Sequence, residues 1–147
     1  MKADEIHEAL KKLWPDVKGE WAYLKEMRVA TGYASGATQF IDAWVINCWP
    51  SKLTQRIAVE IKVSRGDFKH EVNYPLKRTA AYRLANELYL AVPIGLVSIP
   101  EVPVDMGLIE VENGVATIVH DAPWHDGESP SWMFVASLAR RVFKDTR

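Results

Sequence analysis

The sequence predicts one α/β domain of the α+β kind: a helix, three strands, a second helix and a fourth strand, then a hairpin and a last helix. Three observations carry this expectation. From Ile57 to Val63 apolar and charged residues alternate with the two-residue period of a strand, Ile57, Val59, Ile61 and Val63 on one face and Glu60 and Lys62 on the other. Apolar residues recur with helical spacing at Ile6, Ala9, Leu10 and Leu13, and again at Phe134, Val135, Leu138 and Val142. Asn113-Gly114 stands between two short strand-like runs, the strongest two-residue hairpin signal.

The first helix is expected from about Asp4 to Leu13, where Trp14-Pro15-Asp16 ends it. A strand follows near Trp21 to Ala30. The small loop Thr31-Gly32-Tyr33-Ala34-Ser35-Gly36 then delivers the chain to a strand carrying Phe40 to Ile46, and tight Gly and Ser loops let a phosphate backbone come close. A turn around Trp49-Pro50-Ser51 leads into the alternating strand. Pro75 suits the first turn of a helix running to about Glu87, with Leu76, Ala80, Leu84 and Leu88 facing inward. Leu88 to Val92 closes this unit as a strand. Short strands near Gly107 to Val111 and Ala116 to His120 flank the hairpin turn, and a helix from about Ser131 to Phe143 opens on a Ser-Pro-Ser start. No internal repeat, low-complexity tract or linker divides the chain, so all 147 residues read as one domain.

Composition is that of an ordinary globular protein, 48% hydrophobic and 25% charged, and the net charge of −1 does not point to a polyanionic partner. The charge is unevenly placed. Lys62 to Arg83 holds six basic residues against two acids, while Leu84 to Ala139 has no Lys or Arg. Such a split orients a polyanion toward one side; a solvated helix face beside an acidic loop region would have the same composition. Cys48 is the lone cysteine, which excludes an intrachain disulfide and a thiolate zinc cluster. The first residues are charged and amphipathic, and no apolar run has the length of a membrane span, so a cytoplasmic protein is expected. Phosphate-loop, dinucleotide-turn and nucleophile-elbow patterns are absent.

Two acids stand where they are costly or informative. Asp42 interrupts the apolar run Phe40, Ile41, Ala43, Trp44, Val45, Ile46, a position that penalises a carboxylate unless something charged receives it. Glu60 and Lys62 share one strand face about 6.5–7 Å apart, within reach of one metal-bound phosphate. An acid followed by an E-x-K strand points to a divalent-cation nuclease.

Ile41-Asp42 followed by Glu60-Ile61-Lys62 in this order of elements resembles the PD-(D/E)XK nuclease superfamily, with its restriction-endonuclease-like αβββαβ core and mixed central sheet flanked by helices. The likeness extends through Glu60 to Phe68 (E-I-K-V-S-R-G-D-F), Pro75-Leu76-Lys77, Leu88 to Pro93 and Gly107-Leu108-Ile109, which are similar to MmcB-like DNA repair nucleases and related phage proteins. It covers roughly Tyr23 to Val111; an isolated E-x-K is a weak signal, whereas the K-V-S-R-x-D-F continuation is specific. Ile41 replaces the proline of the first motif, a widely tolerated departure.

The resemblance implies that Asp42, Glu60 and the backbone carbonyl of Ile61 bind Mg²⁺ or Mn²⁺, that Lys62 orients the attacking water or stabilises the developing charge, and that phosphodiester bonds of DNA are hydrolysed in repair, recombination or phage DNA processing. A further glutamate is expected from an earlier element. Glu26 on the first strand matches the closer group, Glu5 or Glu8 the more usual helix position, and Glu26 also fits an exposed strand residue beside Lys25 or Arg28. Arg65, Lys77 and Ser35 are candidate DNA contacts, Lys77 equally well a solvated lysine, and Asp67 is expected to cap a helical turn beginning at Phe68. His7 and His70 have no assigned task, and the spacing of His120, Asp121, His125 and Asp126 fits a surface loop better than a metal site. Trp21 and Trp44 are expected in the core, while Trp14, Trp49, Trp124 and Trp132 are candidates for base stacking or a dimer interface. Cutting two antiparallel strands with one site per small subunit favours a homodimer. A non-cleaving DNA-binding or recruiting module of the same fold, and cleavage of RNA, are the competing readings.

Overall fold

The computed structural model describes residues 1–30, 38–73 and 78–145. Its elements are α1 (Ala3–Leu13), β1 (Trp21–Ala30), β2 (Thr38–Asn47), β3 (Arg56–Ile61), α2 (Arg65–Asn73), α3 (Thr79–Leu84), β4 (Glu87–Pro93), β5 (Gly107–Glu112), β6 (Val115–His120) and α4 (Trp132–Asp145). The strands form one six-stranded sheet in the order β1-β2-β3-β4-β5-β6. Pairs β1–β2, β2–β3 and β5–β6 are antiparallel, β3–β4 and β4–β5 parallel, giving a mixed sheet. The helical segment between β3 and β4 supplies the crossover that a parallel pair requires. The α+β class and the αβββαβ order expected from the sequence are those of the structure.

Both faces of the sheet are covered. Ile6, Ala9 and Leu10 of α1 and Trp14 just after it pack against Ala43, Val45, Ile57, Val59, Tyr89, Ala91 and Ile109 on one face. Phe68, Ala81, Phe134 and the partly buried Leu138 cover Leu24, Trp44, Ala58, Leu88, Leu90 and Leu108 on the other. Two-sided burial explains why β4 is almost continuously apolar, with Leu88 to Val92 at most 2% exposed. The hairpin turn puts Asn113 and Gly114 at φ 51° and 76°, the two left-handed residues that the Asn-Gly signal predicts.

Several expectations are corrected. The segment after β3 is a nine-residue helix from Arg65, and Asp67 is not its cap: Ser64 Oγ accepts the Asp67 N–H at 3.2 Å, placing Asp67 in the first turn. The next helix ends at Leu84 rather than Glu87, because Ala85 is extended (φ −136°, ψ 160°) and starts the approach to β4. Its expected beginning at Pro75 lies outside the described residues. On α4, Val142 is 52% exposed rather than inward; Arg141 instead donates to the carbonyls of Lys25 (2.5 Å) and Glu26 (3.4 Å) on β1. Trp14 is buried, whereas Trp124 and Trp132 are exposed. No helix among the described residues is long and apolar enough to cross a membrane.

Candidate functional site

The site forms where β2 and β3 part. Their ladder runs from Ile46↔Arg56 to Ala43↔Val59 and stops there, so Asp42 and Glu60, next in register, are no longer a backbone pair. The ladder bond lost at this point is replaced by a side chain: Asp42 Oδ2 accepts the Ile61 N–H at 2.8 Å. On its other edge β3 stays tied to β4, with Lys62 N–H donating to the Ala91 carbonyl at 3.1 Å. Because successive peptide groups of a strand point to opposite edges, Ile61 turns both its N–H and its C=O toward the opened β2 side.

β1 adapts to the same point. Register holds on both sides, Lys25↔Ala43 and Met27↔Ile41, but the intervening Glu26 has φ 54° and makes no pair with Asp42. A left-handed non-glycine residue costs about 1 kcal/mol or more and persists only when its surroundings fix it. The Arg141 guanidinium on the Lys25 and Glu26 carbonyls supplies such a clamp. The irregularity also shifts the strand's alternation, so that Leu24 and Met27, three apart, both enter the same core cluster.

Asp42 and Glu60 come together as expected. Burial, followed by the charges of Asp42 and Glu71 and a hydrogen bond with Asp42, pushes the Glu60 carboxyl up to about 9, and Lys62 only partly opposes this. The Glu60 carboxyl is thereby favoured in its protonated form near neutral pH. Lys62 lies beside it, its ammonium 3.3 Å from Glu71 Oε2.

From the opposite face α1 contributes a residue that the sequence did not single out. His7 is 3% exposed, and its Nδ1 is 2.7 Å from the Tyr23 hydroxyl, with the rings edge to face. Burial and the Lys25 charge hold the imidazole below its ordinary pKa, while Asp42, Glu26 and Asp4 pull it upward. Burial and Asp42 raise the Tyr23 hydroxyl. Asp42 thus acts electrostatically on residues from both faces of the sheet. Of the candidate glutamates, Glu5 accepts the Lys2 N–H at 3.3 Å and Glu8 pairs with Lys11 at 3.2 Å, so both serve their own helix. Glu26 is exposed opposite Asp42.

The basic segment is largely neutralised. Arg65, expected to grip a phosphate, instead makes a two-pronged pair with Glu101 (2.8 and 3.1 Å), donates to the Leu96 carbonyl and lies over the Phe68 ring. Arg78 faces Asp105 at 3.8 Å and Arg83 faces Glu128 at 3.7 Å. Ser35 and Lys77 lie outside the described residues. His125 stacks on Tyr82 with ring centroids 3.8 Å apart, and its Nε2 is 2.6 Å from the Tyr82 carbonyl, an arrangement that turns the ring inward onto the protein.

The donors at the parted strands are hard oxygens: two carboxylates in contact and a carbonyl on the open edge. Two carboxyl groups held together, one of them favoured in its neutral form by burial and by the other's charge, fit a divalent cation that would let both ionise. No cluster of three His, Cys, Asp or Glu side chains in ligating arrangement occurs among the described residues, so water would complete the coordination, as Mg²⁺ prefers.

No protein-family model matches the chain, and no curated protein matches it. Among solved structures, a protein of unknown function from Silicibacter pomeroyi superposes with a TM-score of 0.67 at 16% identity, over 100% of this chain and 88% of that one. At that identity the likeness concerns the fold alone.

Proposed function

We propose that this chain is a divalent-metal-dependent nuclease of the PD-(D/E)XK type that hydrolyses phosphodiester bonds in DNA, in repair, recombination or phage DNA processing. The observation that carries the reading is the Asp42–Glu60 pair: two carboxyls held together where a sheet opens, one of them raised to about 9 by burial and by its neighbours' charges. Such a pair is costly to fold and has a chemical use when a cation arrives.

Asp42, Glu60 and the Ile61 carbonyl would hold Mg²⁺ or Mn²⁺. A cation held there would supply polarisation of the scissile phosphate and a coordinated water of lowered pKa. Asp42 has a second task, fixing the end of β3 through the Ile61 N–H. Lys62, on the same strand face as Glu60, offers its ammonium to the phosphate oxygens, where negative charge develops.

The test is cleavage of a panel of DNA and RNA substrates (single strand, duplex, flap and junction) with each metal. Wild-type protein is expected to cut DNA with Mg²⁺ or Mn²⁺, and Asp42→Ala, Glu60→Ala and Lys62→Ala each to lower that activity by orders of magnitude while remaining folded. Full activity in Glu60→Ala would end the assignment. Tight DNA binding with no cutting under any metal would favour the non-cleaving module.

A further inference from the structure

Glu71 has no task in the chemistry so far. It lies on the inner side of α2, three residues from buried Phe68, and is itself 3% exposed. A carboxylate at such a position is costly unless it is paired. Its Oε2 meets the Lys62 ammonium at 3.3 Å, while Oε1 is buried without a hydrogen-bond partner. The helix carrying it is fixed at both ends, by Ser64 Oγ on the Asp67 N–H (3.2 Å) and by Arg78 Nη1 on the Glu71 carbonyl (3.1 Å). The anion therefore has a set position, which the lysine does not set for itself. A lysine ammonium on a flexible four-carbon stem goes to the strongest anion within reach. Without Glu71, that anion would be the Asp42–Glu60 pair, and the ammonium would take the place of a cation.

We propose that Glu71 is the positioning residue of this site: it holds the Lys62 ammonium on the α2 side, leaving the Asp42–Glu60 pair open to a divalent cation and the ammonium directed at the substrate phosphate. The inference rests on the nuclease reading, and Glu71 acts through Lys62 without touching substrate.

The test combines Glu71→Gln, Lys62→Ala and the double variant, with Mn²⁺ affinity measured by calorimetry beside kcat and KM on DNA. Glu71→Gln is expected to weaken Mn²⁺ binding about tenfold or more, the affinity returning when Lys62→Ala is added, because the competing ammonium is then gone. It should also lower kcat about tenfold with KM little changed, and have no further effect on kcat in the Lys62→Ala background. A structural contribution alone would not give that reversal. Unchanged Mn²⁺ affinity in Glu71→Gln, or a loss that Lys62→Ala does not restore, would overturn the proposal. Should Glu71→Gln not fold, Lys62→Ala alone decides: affinity within about threefold of wild type supports an ammonium held aside, and a large gain shows that it already competes. A wild type that binds Mn²⁺ with this pattern yet cuts nothing would refute the nuclease reading and leave the positioning role standing; cutting without the pattern would do the reverse.

Discussion

The two ends of the strand pair β3–β4 both bury polar groups, and they do so in opposite ways. At the Arg56 end everything is matched. Asn86, 2% exposed, accepts the Arg56 N–H at 2.9 Å and donates to the carbonyls of His125 (3.0 Å) and Asp126 (3.2 Å). Asn47, 1% exposed, donates to Glu20 at 2.9 Å and accepts the Trp49 N–H at 3.0 Å. Gln55 donates to Glu87, which accepts from the Tyr89 hydroxyl, and that hydroxyl accepts the Ala122 N–H. At the Ile61 end the groups are ionisable and badly matched: Glu60 is pushed up to about 9, and a buried Glu71 oxygen has no hydrogen-bond partner. Satisfied polar networks fix a fold, whereas unsatisfied charge gathered at a strand opening is a liability that a fold keeps for chemistry.

Variants at the two ends should separate these roles. On the proposed nuclease reading, the largest effect is expected on activity at the Ile61 end, where Asp42→Ala or Glu60→Ala should lower the cleavage rate about 10²-fold or more in a nicking assay. At the other end Asn86→Ala should destabilise the protein by about 2–4 kcal/mol in urea unfolding, since it leaves several buried backbone groups unbonded. The remaining folded fraction of that variant should keep its rate constant, and a specific loss of rate would blur the comparison.

Glu60→Gln should move stability the other way. With the folded-state carboxyl near 9 and an ordinary value of 4.5, the native protein holds the more tightly bound proton, so wild-type stability falls as pH rises from about 4.5 to about 9. The glutamine variant lacks that slope and should be more stable than wild type at pH 8, on the order of a few kcal/mol, read from urea midpoints across pH. Equal slopes would mean that the pair is not strained. The smallest effect is expected at the exposed Arg65–Glu101 pair, where Glu101→Gln should leave the urea midpoint within error. The same change frees the Arg65 guanidinium, so any gain in DNA affinity would identify Glu101 as a competitor for the phosphate backbone.

How much of this was legible follows from what each residue depends on. Glu60 and Lys62 are readable because alternation fixes their common face, and Asp42 because it breaks an apolar run. The hairpin is readable because Asn-Gly carries its own backbone preference. His7 and Glu71 are not, since their burial is decided by how α1 and α2 dock rather than by spacing along the chain. In α2 only Phe68 and Glu71 are buried, so its amphipathic signal is nearly silent and one of its two inward residues looks like surface. The parting of β2 from β3 is equally hidden, because it shows itself as a carboxylate replacing a backbone acceptor. The clustered basic residues were visible; their acids, Glu101, Asp105 and Glu128, come from later in the chain and meet them only in the fold.

The central claim is that Asp42 and Glu60 form a strained carboxyl pair that a divalent cation relieves. Calorimetric titration with Mn²⁺ at pH 7, repeated in buffers of different ionisation enthalpy, tests it most directly, because a cation that displaces the Glu60 proton must release it. The account predicts binding with about one proton released per cation, abolished in Glu60→Gln. Absence of binding, or binding without proton release that survives in Glu60→Gln, would contradict it.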